Sequence, residues 1–504
     1  MADTLPLPSP NKRKLIFVGI ISLCFLIILG FVLTLSRTTQ TENAKGFKPK
    51  TKEVVIWSVN MSPTLFETLN KWYNDYLNRN DMKLKVRDFA SYEDLLDVLP
   101  RVVQAGTSPD VVLVPNHGGN FYVDPYIVSL GENLIDFSDF ENRFHPLFVD
   151  ELMFEEKQKV NGADKIVRGL RGIPVWFEPL GIYYNRNVMP TAPTFWKNIG
   201  DLLSDDAKKN KISAVSLGYG RATPDSGDIL PLLTIQYKGI NFNSYKTIDS
   251  VESRSIIDRL LEYRREPNNL GQFKDAFDNT LTTTDLFVRW KVATLVGYPS
   301  TEREILLAQK RAKKDKALDP EFVKNLRWTT IPQVEDEAKK QTNLSRFMYF
   351  AMMKNGINRN REKPGNDPVI KFMQYLVTAK AQQTFFENYE YYLPSQMALL
   401  KSQKDTQIDK KTGEFGMTVG DWYVDTQKFV AYDMGIPHVF WGIVEKAFDE
   451  PGATSSVIAK SILDYLSCRI KHILDPDTYD QACGCVRDTQ SNNNHYWPVC
   501  EWGV

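Results

Sequence analysis

At 504 residues, 42% of them apolar and 25% charged, the chain is too long for one simple core and too apolar for wholesale disorder. Lys and Arg together number 62, as do Asp and Glu, and zero net charge speaks against a nucleic-acid partner, since phosphate binding ordinarily leaves a basic domain. Two to four structural units are expected.

The first element follows Lys12-Arg13-Lys14. Residues 15–35, "LIFVGIISLCFLIILGFVLTL", carry no charge. At about 1.5 Å per residue such a run spans a hydrocarbon core of roughly 30 Å. The basic cluster ahead of it predicts a cytoplasmic N-terminus over 1–14 and an exported remainder, in a single-pass protein of the cell membrane. The run is longer than a cleavable signal core and no A-x-A-like site closes it; Cys24 sits mid-run, not at the head of a polar tether. An uncleaved transmembrane anchor is therefore expected, followed by a polar tether over 36–52.

From Glu53 strands and helices alternate. "EVVIW" predicts a buried strand. Ser62-Pro63 supplies an N-cap with proline at the first helical position, and Leu65, Leu69, Trp72, Tyr73 and Tyr76 form one apolar helix face. "KLKVRDF" alternates as a half-exposed strand. Ser91 with Asp94 reads as a capping pair for a helix carrying Leu95, Leu96, Leu99, Val102 and Val103, kinked at Pro100 and stopped at Gly106. "PDVVLVP" is again a buried strand. This is the grammar of an open, mostly parallel α/β sheet, in which ligands bind beyond the carboxyl ends of the strands. Residues 58–61 and 116–120 are suspects on that ground alone.

"RGIPVWFEPLGIYYN", residues 171–185, then sets Trp176, Phe177 and Glu178 between two prolines. Beyond it, "PTAPTFWKNIGDLL" leads into a helix, "KISAVSLGYG" is a strand ending in a glycine turn, and helices run to residue 305. "QKRAKKDKALDPEFVKN" is a solvated helix face, "LRWTTIPQ" a strand, and "DPVIKFMQYLVTAKAQQTFFENYEYYLPS" a helix pair ending in an aromatic turn. Cys468, Cys483, Cys485 and Cys500 predict two disulfides stapling a tail over 467–504, because the spacing lacks the paired C-x2-C knuckles of a zinc site. Cys483 and Cys485 are too close to bridge each other easily, so each reaches to Cys468 or Cys500.

Catalytic signatures are scarce. The chain has no G-x-S-x-G, H-E-x-x-H or G-x-x-x-x-G-K-[ST] motif, and its five histidines lack helical i, i+4 spacing, so neither a metal nor a cofactor is expected. With 62 acidic residues there is room for a glycosidase-type carboxylate pair, which leaves an anchored extracellular carbohydrate-active hydrolase as an alternative. Aromatic residues near predicted loop ends are plentiful: Trp57, Trp176, Phe177, Tyr219 and Tyr298. Each alone belongs more readily to a core, yet together they suit the C–H faces of sugars, with carboxylates and amides meeting the hydroxyls.

"EVVIWSVN", "DLLDVLPRVVQAGTSPDVVLVP" and "VRGLRGIPVWFEPLGIYYNRNVM", in that order, resemble the extracellular solute-binding proteins of ABC importers, in the branch that includes maltose- and other sugar-binding proteins. "AGTSPDVVLV" is similar to the family's A-G-x-x-P-D strand, and "GIPVWFEPLGIYYNRNVMP" to its G-x-P segment followed by Y-Y-N-[KR]. Two later segments depart from the pattern. Thr194-Phe195-Trp196 lacks the family's order and acid, and Arg289-Trp290-Lys291 stands where Gly-Lys is usual.

The resemblance covers residues 53–400 and implies an α/β fold of the two-lobe periplasmic-binding-protein type (type II), a clamshell closing on its ligand. Lobe 1 is expected over 53–175 with about 345–398, lobe 2 over 180–335 with about 400–466, and the chain crosses between them near residues 174–179. It implies that Glu178 faces the cleft and contacts a sugar, and that Trp57, Asn60, Asn116, His117 and Tyr298 lie in lining segments. Strand alternation puts Trp176 on the face of Glu178, and Tyr219 joins the set from its glycine turn. The function implied is a monomeric, non-enzymatic, membrane-tethered receptor. It would capture a small polar solute outside the cell, carbohydrate foremost, and deliver it to an ABC permease. A sensor using the same clamshell without transport is a further alternative.

Overall fold

The computed structural model describes residues 53–90, 92–116, 126–160, 163–215, 228–238, 251, 254–255, 257–258, 282–312, 320–334, 342–354, 367–388, 392–405, 428–430 and 454–460. The expected anchor over 15–35, its tether, Ser91, His117, Tyr219 and the four tail cysteines lie outside the described residues. Among the described helices none is long and apolar enough to cross a membrane.

The chain opens with β1 (Glu53–Val59), α1 (Pro63–Tyr76), β2 (Lys83–Phe89), α2 (Tyr92–Gln104) and β3 (Val111–Pro115), the alternation expected from the sequence. Ser62 stands at the N-cap position of α1 without a side-chain bond to the helix amides, its hydroxyl lying 2.6 Å from that of Thr64. Pro63 takes the first helical position, and Leu65, Phe66, Leu69 and Tyr73 are the helix's buried stripe. Helix α2 runs through Pro100, and the chain leaves it at Gly106 with φ 70°, a left-handed conformation that glycine adopts without strain. Strand β1 pairs in parallel with both β2 and β3.

Two short helices follow, α3 (Phe137–Arg143) and α4 (Pro146–Leu152), each started by a side chain accepting a backbone N–H, Asp136 from Asp139 and His145 from Leu147. A hairpin of β4 (Met153–Val160) and β5 (Ala163–Leu170) comes next, one the sequence reading lacks although Asn161-Gly162 between the two runs is a strong short-hairpin signal. Strands β6 (Ile173–Pro179) and β7 (Gly181–Asn185) are separated by Leu180 alone. After β7 come a 3-10 turn (Trp196–Leu202), α5 (Asp205–Lys209), α6 (Ile229–Lys238), α7 (Thr283–Val288), β8 (Thr294–Gly297), α8 (Glu302–Ala312), α9 (Pro320–Asn325) and β9 (Leu326–Thr330). Of the strand expected over 211–220, residues 216–220 lie outside the described ones, and in the described part Ser213 bridges Val292 in parallel. Lys211 at φ 55° closes α5, its amide donating to Lys208 O and the Ile212 amide to Ala207 O, both at 3.0 Å. Then come β10 (Thr342–Met352), α10 (Pro368–Leu376), α11 (Ala379–Asn388), β11 (Leu393–Pro394), α12 (Met397–Asp405) and β12 (Lys428–Val430).

The first sheet has the order β11-β6-β10-β3-β1-β2, with β12 also on β10; the second is β8-β7-β9. Phe372 of α10 and Phe385 of α11 bring their rings to 6.1 and 5.8 Å from Phe350 of β10, sealing the first sheet's core. Strand directions then decide where chemistry can gather. Because β10 is antiparallel to both β3 and β6, β6 runs the same way as β1, β2 and β3. All four therefore end on one edge, at Val59, Phe89, Pro115 and Pro179. In the second sheet β7 is antiparallel to β8 and β9, so Gly181 at its start lies beside Gly297 and Thr330 at their ends. With only Leu180 between β6 and β7, the carboxyl-end edges of the two sheets meet at this crossing.

Candidate functional site

The crossing is built tightly. A Cβ on Gly181 would lie 2.0 Å from Cζ2 of Trp328, so only glycine lets the β9 indole cover the start of β7. The Leu180 amide donates to Leu344 O at 2.8 Å, joining the crossing to the start of β10. Within β6, Phe177 is fully buried against Phe148 and His145, with ring centroids at 5.7 and 5.1 Å. Alternation then turns Trp176 and Glu178 to the other face.

Glu178 sits at the centre of a polar cluster drawn from both sheets. Its side chain is only 1% exposed, and its two oxygens accept from Ser300 N at 3.2 Å and from Arg346 Nε at 3.4 Å. Arg346 is its register partner across β10. A second guanidinium nitrogen donates to Ser300 Oγ at 2.9 Å, and the guanidinium carbon stands 3.9 Å over the Tyr298 ring, a cation–π contact. Below, the Tyr298 hydroxyl donates to Asp228 Oδ2 at 2.6 Å, at the start of α6. Tyr183 of β7 donates to the carbonyls of Tyr298 and Pro299 at 3.2 and 2.8 Å, fixing the turn that presents Ser300. Tyr298 is thus fully buried and acts as the floor beneath Arg346.

The other sequence candidates divide. Trp176 is half-buried and stacks on Tyr392, with ring centroids 3.7 Å apart and planes 8° from parallel. Asn116 is buried, and its Oδ1 accepts from Phe347 N at 2.6 Å, extending the β3–β10 ladder one step past Pro115. Asn60 is exposed at the end of β1 in the left-handed region, φ 56°, where Asn is among the few residues that settle readily. Its loop is held by Asp88, which accepts from Ser58 Oγ at 2.6 Å and Met61 N at 3.1 Å. Trp57 is 5% exposed, packed on Phe89 at 5.0 Å and covered by Arg87. Topology places Asn60, Asn116, Trp176 and Glu178 toward one sheet edge, with Tyr298 joined to Glu178 through Arg346.

Sequence reasoning missed Arg346, Ser300, Asp228 and Tyr392. The signal for Arg346 is the run "TNLSRFMYFAMM", apolar except at its start and therefore compatible with a buried strand. For Tyr392 it is the "YEYYLP" turn. Nothing in spacing announces Ser300 or Asp228, which reach the cluster only through the fold.

The sequence profile of the bacterial extracellular solute-binding proteins matches residues 71–411. Among solved structures, the GacH receptor of Streptomyces glaucescens, studied unliganded and with acarbose, has a TM-score of 0.54 at 13% identity, over 84% of this chain and 98% of that one. An ABC substrate-binding protein of Listeria monocytogenes in complex with cycloalternan gives 0.52 at 14% identity, over 83% and 98%. Maltose-bound MalE3 of T. maritima gives 0.53 at 14% identity, over 82% and 99%. No curated protein matches the chain. These structural likenesses carry the fold, and the profile spans well over half of the 504 residues. The chain belongs to the family of bacterial extracellular solute-binding proteins.

Proposed function

We propose that the protein is a receptor that captures a sugar outside the cell between two lobes and delivers it to an ABC permease. The observation that carries this reading is the crossing itself. The carboxyl-end edges of two sheets meet there, and a half-buried Trp176–Tyr392 stack lies on the strand that brings Glu178 to Arg346. Aromatic faces with hydrogen-bonding groups beside them are what a sugar requires, apolar C–H faces against rings and hydroxyls against polar atoms. The lobes correspond to the two sheets and their helices, and the apolar run over 15–35 would tether the receptor to the membrane. Cys468, Cys483, Cys485 and Cys500 would staple the tail beyond. Acarbose, cycloalternan and maltose, the ligands of the similar structures, belong to one chemical class and support a glucose-based oligosaccharide here.

The test is a thermal-shift and calorimetric screen of the full chain against maltose, maltotetraose, acarbose, cycloalternan and non-sugar polar solutes. A ligand that binds only the folded state, at about a hundred times its Kd, adds about 2.7 kcal/mol of apparent stability. A concentration-dependent rise with one of the sugars is expected. A rise with non-sugars alone, or steady release of cleavage products, refutes the reading.

A further inference from the structure

The second passage between the sheets, from β9 back to β10, is held differently from the first. At the first, backbone meets backbone, the Leu180 amide donating to Leu344 O at 2.8 Å. At the second, two glutamine side chains reach the returning strand. We propose that Gln236 and Gln333 are positioning residues: they clamp Thr342, the first residue of β10, and so set the angle of the two lobes before the solute arrives. This assignment rests on the two-lobe sugar reading above.

Both backbone groups of Thr342 are held by these side chains. Its amide donates to Gln333 Oε1 at 3.1 Å, and its carbonyl accepts from Gln236 Nε2 at 3.2 Å. Each glutamine is itself fixed. Gln236 Nε2 also donates to Pro332 O at 3.1 Å, and its Oε1 accepts from Trp196 Nε1 at 3.1 Å, which turns the nitrogen toward the two carbonyls. Gln333 is 7% exposed, and its Nε2 donates to Ile331 O at 3.0 Å. Its backbone is paired too, the amide donating to Thr194 O at 2.8 Å and the carbonyl accepting from Trp196 N at 3.0 Å.

Strand β12 pairs with the start of β10, Thr342 opposite Lys428, and restrains the strand's course. What the glutamines add is a joint from the first residue of that strand to α6 and to the segment just past β9. Hinges act where backbone dihedrals can change, and the Thr342 backbone cannot swing without giving up these bonds. A receptor whose lobes are held near the binding angle loses less freedom on capture, which raises affinity without any contact to the solute.

The experiment compares wild type, Gln236→Met, Gln333→Met, the double variant and Trp196→Phe, as full chains checked for cooperative thermal unfolding. Methionine keeps the length of glutamine and removes its hydrogen bonds. Hydrogen exchange at the Thr342 amide should accelerate about tenfold or more in Gln333→Met, with the Leu180 amide unchanged as internal reference. Unliganded glutamine variants should differ from wild type in radius of gyration by X-ray scattering, a difference that saturating maltotetraose should abolish. Maltotetraose should bind about tenfold more weakly to either single variant. The double variant should lose less than the product, because both side chains act on one residue. Trp196→Phe should reproduce Gln236→Met in milder form. Thr342 exchange unchanged in Gln333→Met overturns the clamp, and so do scattering and affinity unchanged despite faster exchange. Should Gln333→Met fail to fold, Gln236→Met decides by scattering and affinity. If wild type binds no sugar, the sugar reading falls, while exchange and scattering of the unliganded chains still decide the clamp.

Discussion

Replacing Asn116 separates a structural role from a solute contact at the sheet edge. The Phe347 amide donates to Asn116 Oδ1 at 2.6 Å, within the buried part of β10 and just past the last β3–β10 pair. Asn116→Ala leaves that amide without its acceptor in a place water does not reach, which costs about 1–3 kcal/mol. The lost carboxamide leaves a void of roughly 30–40 Å³, and at about 24 cal/mol per Å³ this adds close to 1 kcal/mol. A destabilisation of about 2–4 kcal/mol is expected, read as a lower urea midpoint at unchanged slope. Asn60→Gly is the matched control: the same residue type at the end of the adjacent strand, but exposed and at φ 56°, where glycine fits. It should change stability by less than about 0.5 kcal/mol. The reasoning fails if Asn116→Ala unfolds at the wild-type midpoint, or if Asn60→Gly costs as much. Weakened sugar binding with stability intact would instead mark Asn116 as a ligand contact.

Gly181→Ala puts a Cβ 2.0 Å from the Trp328 ring and should cost about 1–3 kcal/mol, seen in denaturant melts and in a shifted tryptophan emission; a neutral result would mean that β9 yields easily. Tyr392→Ala removes the partner stacked on Trp176 and should weaken sugar binding by about tenfold while lowering stability by about 1 kcal/mol, whereas binding at wild-type strength would exclude the stack as a platform. Burial raises the Tyr375 hydroxyl above its ordinary value of about 10, with Asp75 adding to it, and burial with Asp367 does the same for Tyr73. Above pH of about 10 the unfolded chain then gives up these protons while the folded chain keeps them, so stability should fall with rising pH. Tyr375→Phe should soften that fall, and because the Tyr375 hydroxyl is buried with no hydrogen-bond partner among the described residues, it should be neutral or stabilising near pH 7; a clear loss there refutes the assignment.

Legibility in the sequence extends to whatever periodicity or turn chemistry specifies locally. Strand β1, α1 with its Ser62-Pro63 start, α2, β3 and the α10–α11 pair each carry their own pattern, and each stands close to its expected place. The step from β6 to β7 is legible too, because two prolines and "GIYYN" bound it on both sides. Strand β10 is not, although it is the longest strand in the first sheet, since a nearly continuous apolar run has no alternation to betray it. Without β10 there is no Arg346, and without Arg346 the surroundings of Glu178 rest on the family resemblance alone. The aromatic residues show the other limit. Trp57 and Tyr298 flank predicted loops as Trp176 does, yet both are buried, because side-chain burial at a strand end depends on what the rest of the fold lays over it. Arg87 and Phe89 cover Trp57, and Arg346 covers Tyr298.

The crossing also constrains how recognition can be coupled to motion. A single residue, Leu180, links β6 to β7, and its amide is bonded to Leu344 O on the strand that returns to the first sheet. The return is held as well: Gln236 Nε2 donates to Pro332 O at 3.1 Å and to Thr342 O at 3.2 Å, drawing together the end of one sheet's last strand and the start of the other's. Among the described residues these bonds tie the ends of the two sheets together, and a rotation of one against the other would have to change backbone dihedrals beside them, since hinges act there and not within paired strands. Glu178, two residues before Leu180, pairs with Arg346 within the first sheet and also accepts from Ser300 N, just past β8 of the second, so it joins the two sheets at that crossing. Substitutions at Glu178 should on this account alter affinity and the rate of closure together, and a variant that changed only one of them would place the pivot elsewhere.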